Sequence, residues 1–395
     1  MDRRYLRDIA DIQTGPFGSQ LHKEDYVDDG TPIVTVEHLG NRVFTEQNLP
    51  KVSDKDKARL LKYVLTKGDI VFSRVGSVDR CSYVDAAHTG WMFSGRCLRV
   101  RPNEAIDPLY LYYFFCLEET KQFVRNIAVG ATMPSINTKL LGEVEVAYPS
   151  VAEQQKIVAL LSAIDDKIET NQRINDNLEQ QAQALYQDLF VDNADPEWKQ
   201  GTICDLGTIV GGSTPSKAKA EYYTENGIAW ITPKDLSVNK SKFIAHGEND
   251  ITELGLKNSS ASIMPEGTVL FSSRAPIGYI AIAAGEVTTN QGFKSVVPKL
   301  EIGTAFVYYF LKYNLPVIEG MASGSTFKEV SGSTMKRVPA FIPDADTLSR
   351  FNRFCTPLFT QQRNLEEQNR YLTALRDSLL PKLMSGEIDV SDIQL

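Results

Sequence analysis

The residues of this chain whose types could perform chemistry are widely dispersed. Metal and thiol chemistry depends on cysteines and histidines at short, regular spacings. These residues stand at Cys81, Cys97, Cys116, Cys204 and Cys355 and at His22, His38, His88 and His246. No Cys-x-x-Cys pair occurs, and the odd cysteine count argues against a disulfide framework and fits a reducing cytosol. The sequence therefore predicts no metal site.

Motifs for nucleotide, methyl-transfer and acyl chemistry are also missing from the sequence. There is no G-x-x-x-x-G-K-(S/T) loop for phosphates and no Asn-Pro-Pro-aromatic or Asp-Pro-Pro-aromatic tetrapeptide for amino-methylation. A G-x-S-x-G turn, which would carry a nucleophilic serine, is absent as well. We therefore predict a chain that is not an enzyme and that needs no cofactor.

The composition is that of an ordinary globular protein, and its 395 residues predict two to three domains. The sequence has no apolar run long enough for a membrane helix and no signal peptide, so we expect a cytoplasmic protein. A net charge of −8 argues at first against nucleic-acid binding. However, residues 150–195 carry nine acidic and three basic side chains, which leaves the rest of the chain near neutral. Nucleic-acid binding therefore stays open.

The sequence repeats itself once, with a period near 195 residues. Short segments recur in the same order at offsets of 194 to 199 residues. The matching segments are 6–15 with 203–212, 30–39 with 227–236, 68–73 with 267–272, 111–114 with 307–310, and 129–149 with 323–343. The shared order and nearly constant offset indicate two copies of one unit.

Each copy begins with a globular part of mixed helix and strand pattern. Apolar runs at 33–36 and 69–72, and at 269–271 and 279–282 in the second copy, predict strands. A helix is predicted over 108–124, where a proline follows an aspartate at an early helical position. We predict an α+β domain in each copy.

Each copy ends with a long helix that carries a heptad seam. Residues 151–190 contain no glycine or proline, and their apolar residues step by four and three. The seam recurs 194 residues later, with Asn369 in the place of Asn175. Neither seam can be buried alone, so we predict that the two helices pair as an antiparallel coiled coil between two similar globular domains, in a pseudo-twofold repeat. Asn175 and Asn369 are predicted to fix the register of the pair.

Several motifs give this organisation a resemblance to a known family. Residues 68–77 read GDIVFSRVGS, residues 289–293 read TNQGF, residues 149–157 read PSVAEQQKI and residues 379–388 read LLPKLMSGEI. Together with the duplication, these stretches resemble the DNA-specificity subunit of Type I restriction–modification systems. Two departures stand out: the second helix begins without the Glu-Gln pair, and residues 93–96 (FSGR) replace the Asn-Gln-Gly-Phe element in the first copy.

The resemblance implies a fold, a function and partners. Residues 1–149 and 194–343 would be two target-recognition domains, 150–193 the central helix, and 344–395 the C-terminal helix and tail. The chain would read a bipartite, gapped sequence in double-stranded DNA, one half per domain, and hold DNA adenine methyltransferase subunits that use S-adenosylmethionine. A restriction and translocase subunit would join them, and no membrane would be involved. The alternative is a non-catalytic coiled-coil scaffold that displays two protein-binding domains.

Candidate DNA contacts lie in polar loops, because bases and phosphates are bound by basic, amide and hydroxyl side chains. The candidates are Ser73, Arg74, Ser77, Thr132 and Asn137 in the first domain, and Lys217, Arg274, Ser325 and Lys328 in the second. Arg74 and Arg274 are the first choices, since each follows a strand end at a turn of small residues; either could instead pair with an acid. The recurrent aromatics at 112–114 and 308–310 are predicted to be core. Asp165, Asp166 and Glu169 are predicted to lie on an outer, solvated helix face.

Overall fold

A computed structural model describes residues 1–18, 20–324 and 328–391 of the chain. Its contacts divide the protein into two compact units. Unit 1 consists of Met1–Asp166 and the segment that begins at Leu372, and unit 2 consists of Lys167–Tyr371. The division of the sequence into four segments at 149, 193 and 343 remains a prediction.

Unit 1 is built on two four-stranded sheets and one strand pair. Its strands are β1 (Asp2–Tyr5), β2 (Ala10–Thr14), β3 (Tyr26–Val27), β4 (Thr31–Val34), β5 (Lys51–Val52), β6 (Ile70–Ser73), β7 (Cys81–Tyr83), β8 (Met92–Phe93), β9 (Cys97–Pro102) and β10 (Glu145–Tyr148). Its helices before the first long helix are α1 (Leu6–Ile9), α2 (Asp54–Arg59), α3 (Pro108–Cys116), α4 (Glu118–Ile127) and α5 (Thr138–Gly142). The sheet orders are β2-β9-β6-β7 and β3-β5-β4-β8, and β1 pairs antiparallel with β10.

Strand β6 separates two hydrophobic cores in unit 1. Ile70 and Phe72 belong to the core under α3, whereas Val71 belongs to the core of the second sheet. This division follows from the alternation of side chains along a strand. All four residues of β6 are buried. A strand that is buried on both faces does not alternate between polar and apolar residues.

The single helix predicted over 108–124 is wrong, because the structure has two helices there. Asp107 caps α3 by accepting from the amides of Leu109 and Tyr110, and Leu117 then adopts an extended conformation (ψ 133°) before α4 begins. Six of the nine residues of α3 are buried, whereas α4 buries only Thr120 and Val124. The break lets an apolar helix enter the core while an amphipathic one stays at the surface.

Unit 2 repeats this plan with one additional strand. Its strands are β11 (Lys199–Thr202), β12 (Gly207–Gly211), β13 (Tyr223–Thr224), β14 (Ile228–Ile231), β15 (Phe243–Ile244), β16 (Asn249–Ile251), β17 (Val269–Ser273), β18 (Ile277–Ala283), β19 (Thr288–Thr289), β20 (Lys294–Pro298) and β21 (Pro339–Ile342). The sheet orders are β12-β20-β17-β18-β15 and β13-β16-β14-β19, with β11 paired to β21. Strand β17 divides two cores as β6 does, since Val269 and Phe271 lie in one core and Leu270 in the other.

The two long helices are α6 (Val151–Gln187) and α13 (Ala345–Ser385). The short helices between them are α7 (Ile203–Leu206), α8 (Pro233–Val238), α9 (Glu253–Lys257), α10 (Thr304–Tyr313), α11 (Leu315–Gly320) and α12 (Gly332–Met335). In unit 1, Leu161 of α6 shares a core with Leu380 of α13. In unit 2, Tyr186 of α6 packs against Phe351 of α13, with ring centroids 5.9 Å apart. In unit 2, α6 residues 171, 175 and 186 contact residues 369, 362 and 351 in turn. In unit 1, α6 residues 156 and 165 contact residues 391 and 376. The predicted antiparallel pairing is therefore confirmed within each unit.

Both predicted register asparagines lie where α6 meets α13. The side-chain amide of Asn171 donates to Asn369 Oδ1 at 2.8 Å and to Gln368 Oε1 at 2.7 Å. Asn175 instead accepts from Gln362 Nε2 on its backbone carbonyl at 3.2 Å. Asn369 thus bonds Asn171, and Asn175 contacts α13 through its backbone carbonyl. That Asn175 and Asn369 fix the register stays a prediction. In a pair of antiparallel helices, two residues meet when they lie at the same height along the common helix axis. The offset of 194 residues between the two copies does not give that height.

Candidate nucleic-acid interface

Four loops of unit 1 meet at the ends of β2, β6 and β8, and we call them loop cluster 1: residues 15–18, 74–77, 94–96 and 129–137. Backbone hydrogen bonds hold them together. The Gly15 amide donates to the Cys97 carbonyl at 3.1 Å, and the Arg74 amide donates to the Arg96 carbonyl at 2.8 Å. The Gly76 amide donates to the Pro134 carbonyl at 2.8 Å. Loops far apart in sequence therefore form one continuous surface.

Two glycines make the close approach inside loop cluster 1 possible. A Cβ atom on Gly15 would lie 2.1 Å from the Ser94 carbonyl oxygen, and one on Gly95 would lie 2.3 Å from the Pro16 carbonyl oxygen. Neither contact is compatible with a side chain, so the two loops touch backbone to backbone.

The predicted contacts of unit 1 divide into surface and buried residues. Arg74 is half-buried, and its Nη1 donates to the Gly95 carbonyl at 3.2 Å. Ser77 and Thr132 are exposed, and so is Asn137, although its side chain also caps α5 by accepting from the Leu140 amide at 2.9 Å. Ser73 is 1% exposed and donates to the Val75 carbonyl at 2.7 Å. Its burial contradicts a surface DNA contact, because the last residue of β6 points into the core.

Unit 2 builds the same backbone framework, which we call loop cluster 2: residues 212–219, 274–276, 290–292 and the described parts of 322–331. The Ser213 amide donates to the Thr289 carbonyl at 2.9 Å, and the Ser273 amide donates to the Gly292 carbonyl at 2.7 Å. Gly212 repeats the close approach, with its Cβ position 2.0 Å from the Asn290 carbonyl oxygen. The glycine turns of the two copies are therefore equivalent.

The departure at 93–96 from the Asn-Gln-Gly-Phe element does not change the backbone at this position. The Ser94 amide donates to the Val34 carbonyl at 2.9 Å, and the Asn290 amide donates to the Ile231 carbonyl at 3.0 Å. The two loops differ in their side chains while their main chains make the same bonds.

Arg74 and Arg274 do not occupy equivalent positions, although each follows the end of a matching strand. The Ile136 amide donates to the Arg74 carbonyl, whereas the corresponding Val330 amide donates to the Ser273 carbonyl, each at 2.9 Å. Arg274 therefore stands one residue further along its strand end, and its side chain forms an ion pair with Glu329 at 3.6 Å.

Glu329 also attracts a second cation in loop cluster 2. Lys294 Nζ lies 3.9 Å from Glu329 Oε1. Burial lowers the pKa of Lys294, with the nearby Arg274 acting in the same direction and Glu329 against it. The carboxylate thus partly neutralises the cationic surface around Arg274. Lys217 and Lys328 are exposed, and Ser325 lies outside the described residues.

A buried polar contact joins the globular part of unit 1 to its helices. The Tyr113 hydroxyl donates to Asp165 Oδ2 at 2.7 Å, and Arg376 Nη1 donates to Asp165 Oδ1 at 2.8 Å. Asp165 is 4% exposed, so its predicted place on a solvated face is wrong. Burial, with the Asp165 charge acting in the same direction, raises the pKa of Tyr113 above its usual range.

Unit 2 has a more elaborate buried contact, which we call the Glu179 cluster: Glu179, Lys242, Tyr309, Lys312 and Gln362. The Tyr309 hydroxyl and Lys312 donate to Glu179 at 2.9 and 2.8 Å, and Lys242 forms an ion pair with it. Lys242 Nζ also donates to Gln362 at 2.7 Å. Burial opposes the charge on Glu179, but the two lysines outweigh it and lower its pKa to about 2.

Sequence reasoning missed both buried contacts. The only available signal was the recurrence of tyrosine at 113 and 309 in the two copies. The prediction that these aromatics are core is confirmed, since Tyr113 and Tyr309 are 1% and 2% exposed. Their hydroxyls bond carboxylates on α6, which anchors each globular part on the helices of its own unit.

Residues 1–18, 20–324 and 328–391 contain no group of three or more side chains suited to hold a metal ion. None of the helices described there combines the length and the apolar character that crossing a membrane demands.

Comparison with known proteins identifies what the chain resembles. The family model for the Type I restriction modification DNA specificity domain matches residues 1–180 and again 196–368. A MjaIX specificity subunit of a Type I restriction enzyme from Methanocaldococcus jannaschii is 39% identical over 45% of this chain and 41% of its own length. The HindI specificity subunit from Haemophilus influenzae is 25% identical over 85% of this chain and 89% of its own.

A solved structure has the same fold. The crystal structure of a Type I restriction–modification S subunit from M. genitalium superposes with a TM-score of 0.60 at 17% identity, over 97% of this chain and 95% of that one. The two domain matches coincide with the two halves of the internal repeat.

Proposed function

The chain belongs to the family of Type I restriction modification DNA specificity domain proteins, and we propose that it selects the DNA sequence on which a Type I restriction–modification complex acts. It is a non-catalytic subunit that reads double-stranded DNA, with one half of a bipartite, gapped target assigned to each unit. A subunit that reads the host chromosome works in the cytoplasm.

The observation that carries this proposal is the pair of loop clusters. Their main chains make matching bonds at Arg74 and Ser273, while the side chains on that shared frame differ between the copies. A shared frame with different side chains is what two readers of different base sequences require, because base edges are distinguished by side-chain donors, acceptors and apolar groups. We therefore propose two unlike half-sites and an asymmetric target.

We assign the candidate DNA contacts to loop clusters 1 and 2 and leave out the buried Ser73. Arg74, Ser77, Thr132 and Asn137 would act in unit 1. In unit 2 the exposed Lys217 and Lys328 would contact the phosphate backbone, while Arg274 would act under the opposing charge of Glu329. Ser325 stays a prediction.

The helices α6 and α13 would set the spacing between half-sites and dock the partners. Half-sites about one helical turn apart, ~34 Å, suit proteins that enter successive major grooves on one face of the duplex. The partners we propose are DNA adenine methyltransferase subunits and a restriction and translocase subunit.

Genome-wide mapping of adenine methylation tests the proposal. The host is compared with the gene intact and deleted, with the methyltransferase subunit expressed in both strains. We expect one gapped, bipartite motif to lose its methylation on deletion and to regain it when the gene is restored on a plasmid. An unchanged pattern with an active methyltransferase would contradict the proposal and favour the scaffold.

A further inference from the structure

Phe17 is an exposed aromatic residue of loop cluster 1. The residue is 54% exposed. Its carbonyl oxygen accepts from the amides of Gln20 and Leu21 at 2.8 and 3.2 Å, and Leu21 is itself buried. The Gln20 side chain in turn accepts from the Tyr63 hydroxyl at 2.7 Å. Phe17 therefore presents an apolar side chain to solvent while its carbonyl oxygen bonds the amide of the buried Leu21.

The ring lies beside the first-choice cation of unit 1. The Arg74 guanidinium is 5.8 Å from the centre of the Phe17 ring, within the range of a cation–π contact. A hydrogen bond from Arg74 to the Gly95 carbonyl steadies the guanidinium. An arginine and an apolar group side by side match the major groove, where guanine offers two acceptors and thymine offers a 5-methyl group.

Unit 2 carries a polar residue at the corresponding position. Gly15 and Gly212 make the same close approach, so the residue two positions later is Phe17 in one unit and Thr214 in the other. The Thr214 hydroxyl is hydrogen-bonded to the Gln291 side chain. The exposed aromatic side chain at this position is therefore found in unit 1 and not in unit 2. The glycine turn that both units share does not require it.

We propose that Phe17 is a specificity-determining residue that contacts the 5-methyl group of one thymine in the half-site of unit 1. Arg74 lies beside the ring. This inference rests on the proposed function and deepens it by naming the chemical group that is read.

Binding of defined duplexes to the complex of this chain with its methyltransferase subunit tests the inference. The probes are duplexes with the motif found by methylation mapping, and copies in which each half-site thymine is replaced in turn by deoxyuridine, which lacks only the methyl group. For the wild type we expect one replacement to weaken binding about four-fold, the effect of one buried methyl group. Phe17→Ala should bind both duplexes equally and weakly, and Phe17→Leu should recover most of the discrimination.

Phe341→Ala is the matched control, since Phe341 is equally exposed at 54% but lies on β21 of unit 2. It should discriminate thymine from deoxyuridine as the wild type does. The inference is overturned if Phe17→Ala keeps the wild-type discrimination, if no replacement matters, or if the half-site of unit 1 contains no thymine. If the wild-type complex prefers the motif no more than a scrambled duplex, the proposed function itself fails.

Discussion

Replacing Glu179 by glutamine should destabilise unit 2 by about 3 kcal/mol at neutral pH. The carboxylate bonds Tyr309 and forms ion pairs with Lys242 and Lys312. The fall of its pKa from 4.5 to about 2 corresponds to about 3 kcal/mol of stabilisation of the charged form. An amide keeps the shape and an acceptor for the tyrosine, so the loss is mainly that of the charge.

The structure also predicts the direction of the pH dependence. A carboxylate whose pKa is depressed in the folded state stabilises the protein above its unfolded pKa, and the stabilisation is lost as the pH falls through the folded pKa. The difference between wild type and Glu179→Gln should therefore be constant from pH 7 to about 5. It should fall to about half by pH 3, because the carboxylate of the unfolded chain is by then protonated.

The assay is urea unfolding at a series of pH values, combined with amide hydrogen exchange to assign the loss to a unit. Peptides of unit 2 should lose protection while those of unit 1 keep it. Glu248→Gln is the matched control, since it removes an exposed ion pair with Lys234 in the same unit and should cost less than about 1 kcal/mol. A loss below about 1 kcal/mol for Glu179→Gln, or a loss independent of pH, would refute the reasoning.

Two further predictions concern the loop clusters. Gly15→Ala should cost about 1–3 kcal/mol of stability in urea unfolding, because its Cβ would overlap a facing carbonyl oxygen, whereas Gly18→Ala, with nothing within 4 Å, should be neutral; equal effects would contradict the close approach. Arg74→Ala should weaken binding of the methyltransferase complex to its motif by about 1–3 kcal/mol, as expected for loss of a base contact. Arg274→Ala should weaken it less, because Glu329 opposes that charge; an equal loss in the same binding assay would show that the ion pair opens on DNA.

The repeat, the two α+β parts and the antiparallel helices could all be predicted from the amino-acid sequence. These features depend on local pattern: alternating or uninterrupted apolar runs make β6 and β17, and a heptad seam without glycine or proline makes α6. Internal duplication then required two similar units, and each seam required a partner to be buried.

The contacts between polar residues, in contrast, depend on how distant parts of the chain pack together. Asn369 bonds Asn171 because position along two antiparallel helices sets the contact, and Asp165 is buried because Tyr113 and Arg376 satisfy both of its oxygens. Arg274 differs from Arg74 by one place at a strand end and forms an ion pair with Glu329. Such contacts join residues remote in sequence, and their energies depend on distance and burial, which no local pattern contains.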